Sequence, residues 1–206
     1  MKLTMNSTRR FLCFLALAFS FVSNQAVHAQ DTAKSAAAPQ VKFVTNMGEF
    51  VVEVYPDKAP KTAENFLQYV RDKHYEGTIF HRVIANFMIQ GGGYDARYIE
   101  RPTRAPVMHE GLEALSKGGP RNTVGTIAMA RTNAPHSATA QFFINVVDNG
   151  FLDPSPQQPG YTVFGKVVSG MDIVNRIRAI PTGFGGPFPS DVPRTPVVIK
   201  SATVLP

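Results

Sequence analysis

Apolar and polar residues alternate along several short segments of the chain, which is the pattern of half-buried β-strands. Residues 41–45 and 49–55 flank the segment Asn46-Met47-Gly48 and predict a hairpin in which glycine supplies the turn. Residues 80–84 and 87–90 predict a second pair of strands, with a turn at Ala85 and Asn86. Later strands are predicted at residues 126–130, 142–146, 163–168 and 197–204.

Two segments have the spacing of amphipathic helices. Pro60–Arg71 carries its apolar residues at helical intervals behind a proline near its start, and residues 171–179 form a second candidate helix. Residues 94–123 form a long polar excursion in which only 110–116 have helical character. This pattern of many short strands with two helical segments predicts a mainly β fold of the closed-barrel type.

The first 29 residues have the organisation of a secretory signal peptide, with Lys2, Arg9 and Arg10 before an apolar core at 11–22 and a small-residue cleavage site ending at Ala29. The apolar core is shorter than the ~20 residues that usually span a bilayer, so no membrane anchor is predicted. Arg9-Arg10 raises the alternative of twin-arginine export, but the residues after the pair are out of register with that signal. The strongly apolar core favours the general secretory route.

Residues 30–40 are rich in alanine and predict a flexible linker before one domain at 41–206. Cys13 is the only cysteine and leaves with the signal peptide, so no disulfide is expected. Removal of the three basic signal residues leaves 18 basic and 15 acidic residues, a net charge of +3 instead of +6. Since no basic cluster is interleaved with aromatic residues, nucleic acid is not expected as a partner.

Residues 80–92 contain one arginine among large apolar residues, with no nucleophile beside it. Arginine stays charged at working pH and offers five fixed donors, so Arg82 can orient or stabilise a polar group but cannot act as a base. Strand alternation places Arg82 on one face with Phe80 and Ile84. Taken alone, the segment also fits a solvated arginine on a strand whose Phe and Met neighbours belong to the core.

The same segment, FHRVI followed by a short turn and FMIQGG, closely resembles the signature of the cyclophilins, which are peptidyl-prolyl cis-trans isomerases (rotamases). Residues 125–131 (GTIAMAR) and 140–145 (AQFFIN) resemble the second and third motifs of that family. Residues 151–153 and 163–167 resemble its WLD-type loop and its VFGKV strand. The resemblance runs from about residue 41 to the C-terminus and is strongest to bacterial periplasmic members. It implies a closed eight-stranded antiparallel barrel capped by two α-helices.

The resemblance also implies roles for individual residues. Arg82 is similar to the catalytic arginine of the family, and Gln90 and Gln141 would orient it or bind the peptide backbone. The residues similar to those lining the slot for the substrate proline are Phe87, Met88, Phe143 and Leu152. Ala130 and Arg131 match the strand edge that bonds the substrate main chain. For Arg131 a solvated position is an equal alternative, and Phe142, the neighbour of Phe143, is expected in the core.

Two positions depart from the better-known eukaryotic pattern, because Phe151 stands where many members carry tryptophan and Tyr161 where they carry histidine. The family inhibitor cyclosporin uses that tryptophan, so weak cyclosporin binding is expected. No metal ligand set is predicted, since the histidines lack paired zinc spacing. The run of glycines at 91–93 lacks the ending of a phosphate-binding loop, so no nucleotide or other cofactor is predicted.

The sequence therefore predicts a monomeric, cofactor-free periplasmic isomerase that acts without a covalent intermediate on X-Pro bonds of unfolded or partly folded exported chains. Its partners would be Pro-containing polypeptides. The alternative is a chaperone that holds such chains in the same barrel without catalysis. A small-molecule carrier would need an open lumen, whereas barrels of ~8 strands are usually filled by side chains.

Overall fold

The computed structural model describes residues 37–206 of the chain. The predicted signal peptide and positions 30–36 of the predicted linker lie outside these residues. Ten strands are present in this range: β1 (Gln40–Thr45), β2 (Gly48–Val54), β3 (Arg82–Ile84), β4 (Met88–Gly91), β5 (Thr126–Met129), β6 (Phe142–Asn145), β7 (Val163–Ser169), β8 (Thr182–Gly185), β9 (Phe188–Pro193) and β10 (Ile199–Val204). The helices are α1 (Pro60–Arg71), α2 (Gly111–Ser116), α3 (Met171–Arg178) and a 3-10 turn at Gly150–Leu152.

Eight of the strands form one curled antiparallel sheet in the order β10-β1-β2-β7-β5-β6-β4-β3. Its two edge strands do not pair with each other as strands. Instead, the Phe80 amide donates to the Val197 carbonyl at 3.0 Å and the Ile199 amide donates to the Thr78 carbonyl at 2.8 Å. The predicted eight-stranded, mainly β architecture is confirmed, but a fully closed barrel overstates it, because the strand ladder forms a half-barrel.

The concave side of the sheet is filled by aromatic and β-branched side chains. Phe142 is fully buried there, with its ring centroid 5.5 Å from that of Phe43 and 5.4 Å from that of Tyr75. The prediction that Phe142 belongs to the core is confirmed. Helix α1 covers this core with Phe66, whose ring lies 4.9 Å from that of Phe164. An interior packed in this way gives the sheet a stable inner face and leaves the outer face available for a site.

The N-terminus of α1 is stabilised by a carboxylate from the long polar excursion. The residue that precedes the helix, Ala59, provides no side-chain cap. The amides of Lys61 and Thr62 donate instead to the buried carboxylate of Glu110, at 3.1 and 2.8 Å, and the Thr62 hydroxyl donates at 2.7 Å. A negative charge at this end also complements the helix dipole. Glu110 therefore links the long polar segment at residues 94–123 to α1. The helical stretch predicted at residues 110–116 is present as α2.

The hairpin of β8 and β9 is absent from the strands predicted from the sequence. Its strands contain glycine and proline at positions where strands usually alternate apolar and polar residues, which hides the pattern. The hairpin is fixed to the rest of the fold by Phe188, whose ring stacks on His81 at 5.3 Å and meets Tyr94 edge-on at 5.0 Å.

Within residues 37–206 the helices are too short or too polar to span a lipid bilayer.

Candidate active site

A row of side chains crosses the outer face of the sheet where β3, β4, β6 and β5 lie side by side. Arg82 pairs with Gln90, Gln90 with Phe143, and Phe143 with Ala128. Side chains of directly paired residues lie on the same face of a sheet. The strand register therefore places a permanent cation, an amide and an aromatic ring next to one another, although they come from distant parts of the sequence.

Ten of the eleven predicted site residues surround one cavity of about 360 Å³ on this face. They are Arg82, Phe87, Met88, Gln90, Ala130, Arg131, Phe143, Phe151, Leu152 and Tyr161. The floor is apolar, since Met88, Phe143 and Leu152 are buried and pack into a small cluster separate from the main core. The volume is at the small end of ligand cavities, which suits a single ring with a short stretch of chain.

Gln141 is the predicted residue that does not line this cavity. Its side-chain oxygen accepts a hydrogen bond of 3.0 Å from the Gln90 amide, and it lines a neighbouring cavity of about 190 Å³ with Gln90 and Glu100. Gly93 leaves room for it, because a Cβ at that position would lie 2.6 Å from the Gln141 side chain. Gln141 thus fixes the orientation of Gln90, which stands beside Arg82.

Arg82 lies at the polar edge of the cavity with its side chain 43% exposed. The predicted aromatic neighbour on its face, Phe80, is not there, because Phe80 and Val83 both pack in the main core. Strand pairing begins only at Arg82, so the alternation assumed from Phe80 onward is broken between residues 80 and 82. Arg82 instead has an acidic neighbour, since its Nε lies 3.9 Å from Oδ2 of Asp191 on β9.

Arg131 and Tyr161 form one wall of the cavity. The Arg131 Nε and Nη2 donate to the Gly160 carbonyl at 3.0 and 2.7 Å, and the guanidinium lies over the Tyr161 ring at 4.6 Å. Tyr161 in turn meets Phe143 edge-on, with ring centroids 5.4 Å apart. Arg131 is therefore not simply solvated, because it ties the loop before β7 to the end of β5 and supports the ring that borders Phe143.

Beneath the apolar floor lies a buried polar network that the sequence analysis missed. The Asn149 side-chain amide donates to the Phe87 carbonyl at 2.9 Å and to Asn145 Oδ1 at 2.7 Å. The amides of Asn122, from the backbone and the side chain, donate to Asp153 Oδ1 at 2.8 and 3.1 Å. These bonds hold the loops that carry Phe87 and Leu152 in place, and no local sequence motif signals them.

The His81 side chain, next to Arg82 in the chain, faces away from the cavity toward the β8–β9 hairpin. Burial lowers the pKa of His81 from its usual value to about 4. Its Nδ1 has no hydrogen-bond partner in the structure. His81 is therefore neutral near pH 7, and the positive charge at this point of the site belongs to Arg82.

The arrangement combines a fixed hydrogen-bond donor, an apolar floor and an amide side chain, and it places no nucleophile in the lining of the cavity. Such a site can bind a ring beside a polar group and stabilise a change in the charge distribution of that group. Within residues 37–206, no three His, Cys, Asp or Glu side chains converge as metal ligands would.

Comparison with known proteins agrees with this geometry. The family model for "Cyclophilin type peptidyl-prolyl cis-trans isomerase/CLD" matches residues 40–204. The chain is 52% identical over 167 residues to peptidyl-prolyl cis-trans isomerase B of Escherichia coli, which covers 80% of this chain and 98% of that protein. It is 49% identical over 173 residues to a peptidyl-prolyl cis-trans isomerase of Acinetobacter baylyi, with 84% and 89% covered.

The fold is also that of a solved structure. A cyclophilin type peptidyl-prolyl cis-trans isomerase of Cryptosporidium parvum superposes with a TM-score of 0.65 at 24% identity, over 82% of this chain and 98% of that one. The resemblance found in the sequence motifs is thus confirmed by the family match, the bacterial relatives and the fold together. The chain belongs to the family of cyclophilin-type peptidyl-prolyl cis-trans isomerases.

Proposed function

We propose that this protein accelerates the cis-trans isomerisation of X-Pro bonds in exported polypeptides, and that Arg82 stabilises the twisted prolyl amide without forming a covalent bond. The observation that carries the proposal is the shared cavity, in which Arg82 stands beside the apolar floor of Met88, Phe143 and Leu152. Slow X-Pro isomerisation can limit folding, so an isomerase that acts on exported polypeptides would speed their folding.

The chemistry requires a donor and no base. Rotation about an X-Pro bond crosses a barrier of ~18–20 kcal/mol, because the carbon–nitrogen bond has partial double-bond character. Twisting the amide localises the lone pair on its nitrogen, which then becomes a better hydrogen-bond acceptor. A donor directed at that nitrogen binds the twisted state more tightly than either planar isomer, and this differential binding lowers the barrier. Arg82 supplies such a donor at every working pH.

The apolar floor would hold the proline ring. Met88 is 2%, Phe143 4% and Leu152 8% exposed, so these side chains are already packed before a substrate arrives. A preformed apolar surface binds the ring without an ordering cost and keeps water away from the guanidinium. Phe87 and Phe151 border the same cavity and would cover the ring from the side.

The substrate main chain would run along the end of β5. The Ala130 amide already donates to the Gln141 carbonyl at 2.9 Å, so it is not free to bind a peptide. The Ala130 carbonyl would act as the acceptor for a substrate amide. Recognition through a backbone group tolerates different side chains in the substrate, which suits an enzyme that acts on many unfolded chains.

The test is the exchange between cis and trans isomers of a Pro-containing tetrapeptide, measured by line-shape NMR with the unmodified protein, Arg82→Ala and a matched Arg97→Ala control. Arg97 is 79% exposed and pairs with Asp95 away from the cavity. We expect R82A to lose about 10²–10³-fold in kcat/KM, as for the loss of a transition-state donor, and R97A to match the unmodified protein. Thermal unfolding would confirm that both variants are folded.

The same experiment separates catalysis from holding. If the unmodified protein binds the peptide but does not speed exchange, the protein is a chaperone of the kind considered from the sequence, and Arg82 is a docking residue. If exchange is fast and depends on Arg82, holding alone is excluded as the function of this site.

We also propose that the protein acts in the bacterial periplasm after cleavage behind Ala29. The support is the charge and hydropathy pattern of residues 1–29. Mass spectrometry of the protein recovered from the periplasm should give a chain that begins at Gln30. A cytoplasmic, uncleaved chain would contradict the proposal, and replacement of Arg9-Arg10 by Lys-Lys would block export only if the twin-arginine route were used.

A further inference from the structure

Asp191 is the acidic group that contacts the Arg82 guanidinium. Its Oδ2 lies 3.9 Å from Nε, and the two side chains are 36% and 43% exposed. Arg82 lines the cavity, whereas Asp191 does not. The carboxylate therefore contacts the guanidinium from outside the lining of the cavity. At this separation the contact is electrostatic and not a hydrogen bond.

Asp191 lies in a segment of β9 that packs against the β3 region. Asp191 has φ +67°, in the left-handed region that aspartate and asparagine tolerate better than other non-glycine residues. Val192, directly after it, is 2% exposed. Phe188, three residues earlier on β9, stacks on His81, the chain neighbour of Arg82. The hairpin is thus attached to the β3 region next to the residue that Asp191 faces.

The Arg82 guanidinium has few contacts that could hold it in one orientation. Within residues 37–206 the structure shows no hydrogen bond from its guanidinium to protein, and Asp191 is its one ion-pair partner there. Glu100 lines the neighbouring cavity, and among the described residues it forms no ion pair with Arg82. A long, half-exposed arginine samples several rotamers, and a donor must point at the prolyl nitrogen to act on it.

We infer that Asp191 is a positioning residue, which attracts the Nε side of Arg82 so that the Nη donors face the bound prolyl amide. This inference rests on the proposed function of the site. It also gives the β8–β9 hairpin a role beyond packing, because the hairpin carries the carboxylate that sets the direction of the guanidinium.

The test variant is Asp191→Asn, which removes the charge and keeps a residue that accepts the same φ. The control is Asp172→Asn, because Asp172 also lies 3.9 Å from an arginine nitrogen, of Arg176, but on α3 and away from the cavity. We expect D191N to lower kcat for a Pro-containing tetrapeptide about three- to tenfold, in line with a partly exposed ion pair. The dissociation constant of the peptide should change little, and D172N should leave both quantities unchanged.

Two further measurements separate positioning from a general effect on structure. In an R82A background, D191N should cause no additional loss, since its effect passes through the missing guanidinium. In the unmodified protein, NMR of the Arg82 Nε–H group should show an ordered side chain. D191N should increase the mobility of this group. The Nε–H of Arg131, bonded to the Gly160 carbonyl, is the internal reference that should not change.

The inference is overturned if D191N has unchanged or higher kcat, if its loss persists in the R82A background, or if the Arg82 Nε–H signal is unaffected. These outcomes differ from failure of the proposed function, in which the unmodified protein itself does not accelerate exchange.

Discussion

Phe151 stacks on Phe87 at the rim of the cavity, with ring centroids 5.6 Å apart and an interplanar angle of 25°. Phe151 keeps 66% of its surface accessible, whereas Phe87 is half-buried. An exposed ring held against a neighbour extends the apolar floor outward and gives a bound chain a broad surface to contact. Phe151 offers no polar hydrogen, whereas an indole ring in its place would offer one donor.

Replacement of Phe151 by tryptophan should therefore strengthen inhibition by cyclosporin. One hydrogen bond gained in a partly covered site is worth about 1 kcal/mol, so we expect an inhibition constant about three- to tenfold lower for F151W. Catalysis of a short peptide should change little. The measurement is the inhibition constant of cyclosporin for both proteins in the exchange assay. Nanomolar inhibition of the unmodified protein would show that the missing indole is not limiting.

Replacement of Arg82 by lysine separates the charge of this residue from its shape. Lysine keeps a positive charge but presents a compact ammonium instead of a planar fork, and it cannot place Nε beside Asp191. We expect R82K to retain peptide affinity within about threefold and to lose about 10–100-fold in kcat. Affinity is measured by NMR titration and kcat by exchange at saturating peptide. Full activity of R82K would mean that charge alone is sufficient.

The candidate site combines residues from several separate sequence motifs. Arg82, Gln90 and Phe143 come from segments that resemble family motifs, and the strand register brings all three together. The eight-stranded sheet follows from the family resemblance, since the alternation of apolar and polar residues predicts only several short strands. What the sequence could not show is how the ladder ends, since the bridge between Phe80 and Val197 uses backbone groups that any sequence can provide.

Other features escaped prediction because they depend on tertiary contacts. Asp191 lies more than a hundred positions after Arg82, in strands rich in glycine and proline that hide the alternating pattern. Asn122 and Asn149 look like ordinary loop residues, although both are buried and hydrogen-bonded. Strand alternation predicts Phe80 on the face of Arg82, which is wrong because regular pairing begins only at Arg82. Local sequence patterns therefore identify the residues that line the cavity better than the residues that hold the cavity lining in place.

Removal of the Asn149 side chain should weaken both stability and substrate binding. Asn149→Ala leaves Asn145 Oδ1 without its donor from Asn149 and removes a bond to the Phe87 carbonyl, in a region where Asn149 is 2% exposed. We expect the free energy of unfolding to fall by about 1–3 kcal/mol, the cost of a buried unsatisfied group. KM should rise more than kcat falls, because the Phe87 loop loses its anchor.

The measurements for N149A are urea unfolding and peptide kinetics, with Asn133→Ala as the control. Asn133 is exposed, and its side chain makes no hydrogen bond within residues 37–206. N133A should match the unmodified protein in both assays. If N149A loses stability while its KM stays unchanged, the network supports the fold but does not shape the cavity.

Protonation of His81 should destabilise the protein in mild acid. The folded pKa of His81, about 4, lies below the unfolded value of about 6.5, because burial disfavours the charged ring. Between these two values the unfolded chain binds a proton that the folded chain does not, so stability falls as the pH falls through this window. From pH 7 to pH 5 this residue alone should cost about 2 kcal/mol in the free energy of unfolding.

The comparison that isolates His81 is urea unfolding of the unmodified protein and His81→Phe at pH 7, 6 and 5. Phenylalanine keeps a ring against Phe188 and cannot titrate, so H81F should lose about 2 kcal/mol less than the unmodified protein over this range. His74 and His109, whose pKa values are also lowered by burial, are present in both proteins and cancel in the difference. If the free energies of unfolding of the two proteins change in parallel with pH, His81 accepts a proton in the folded state without loss of stability. In that case protonation of His81 would not displace the hairpin that carries Asp191 from its place beside Arg82.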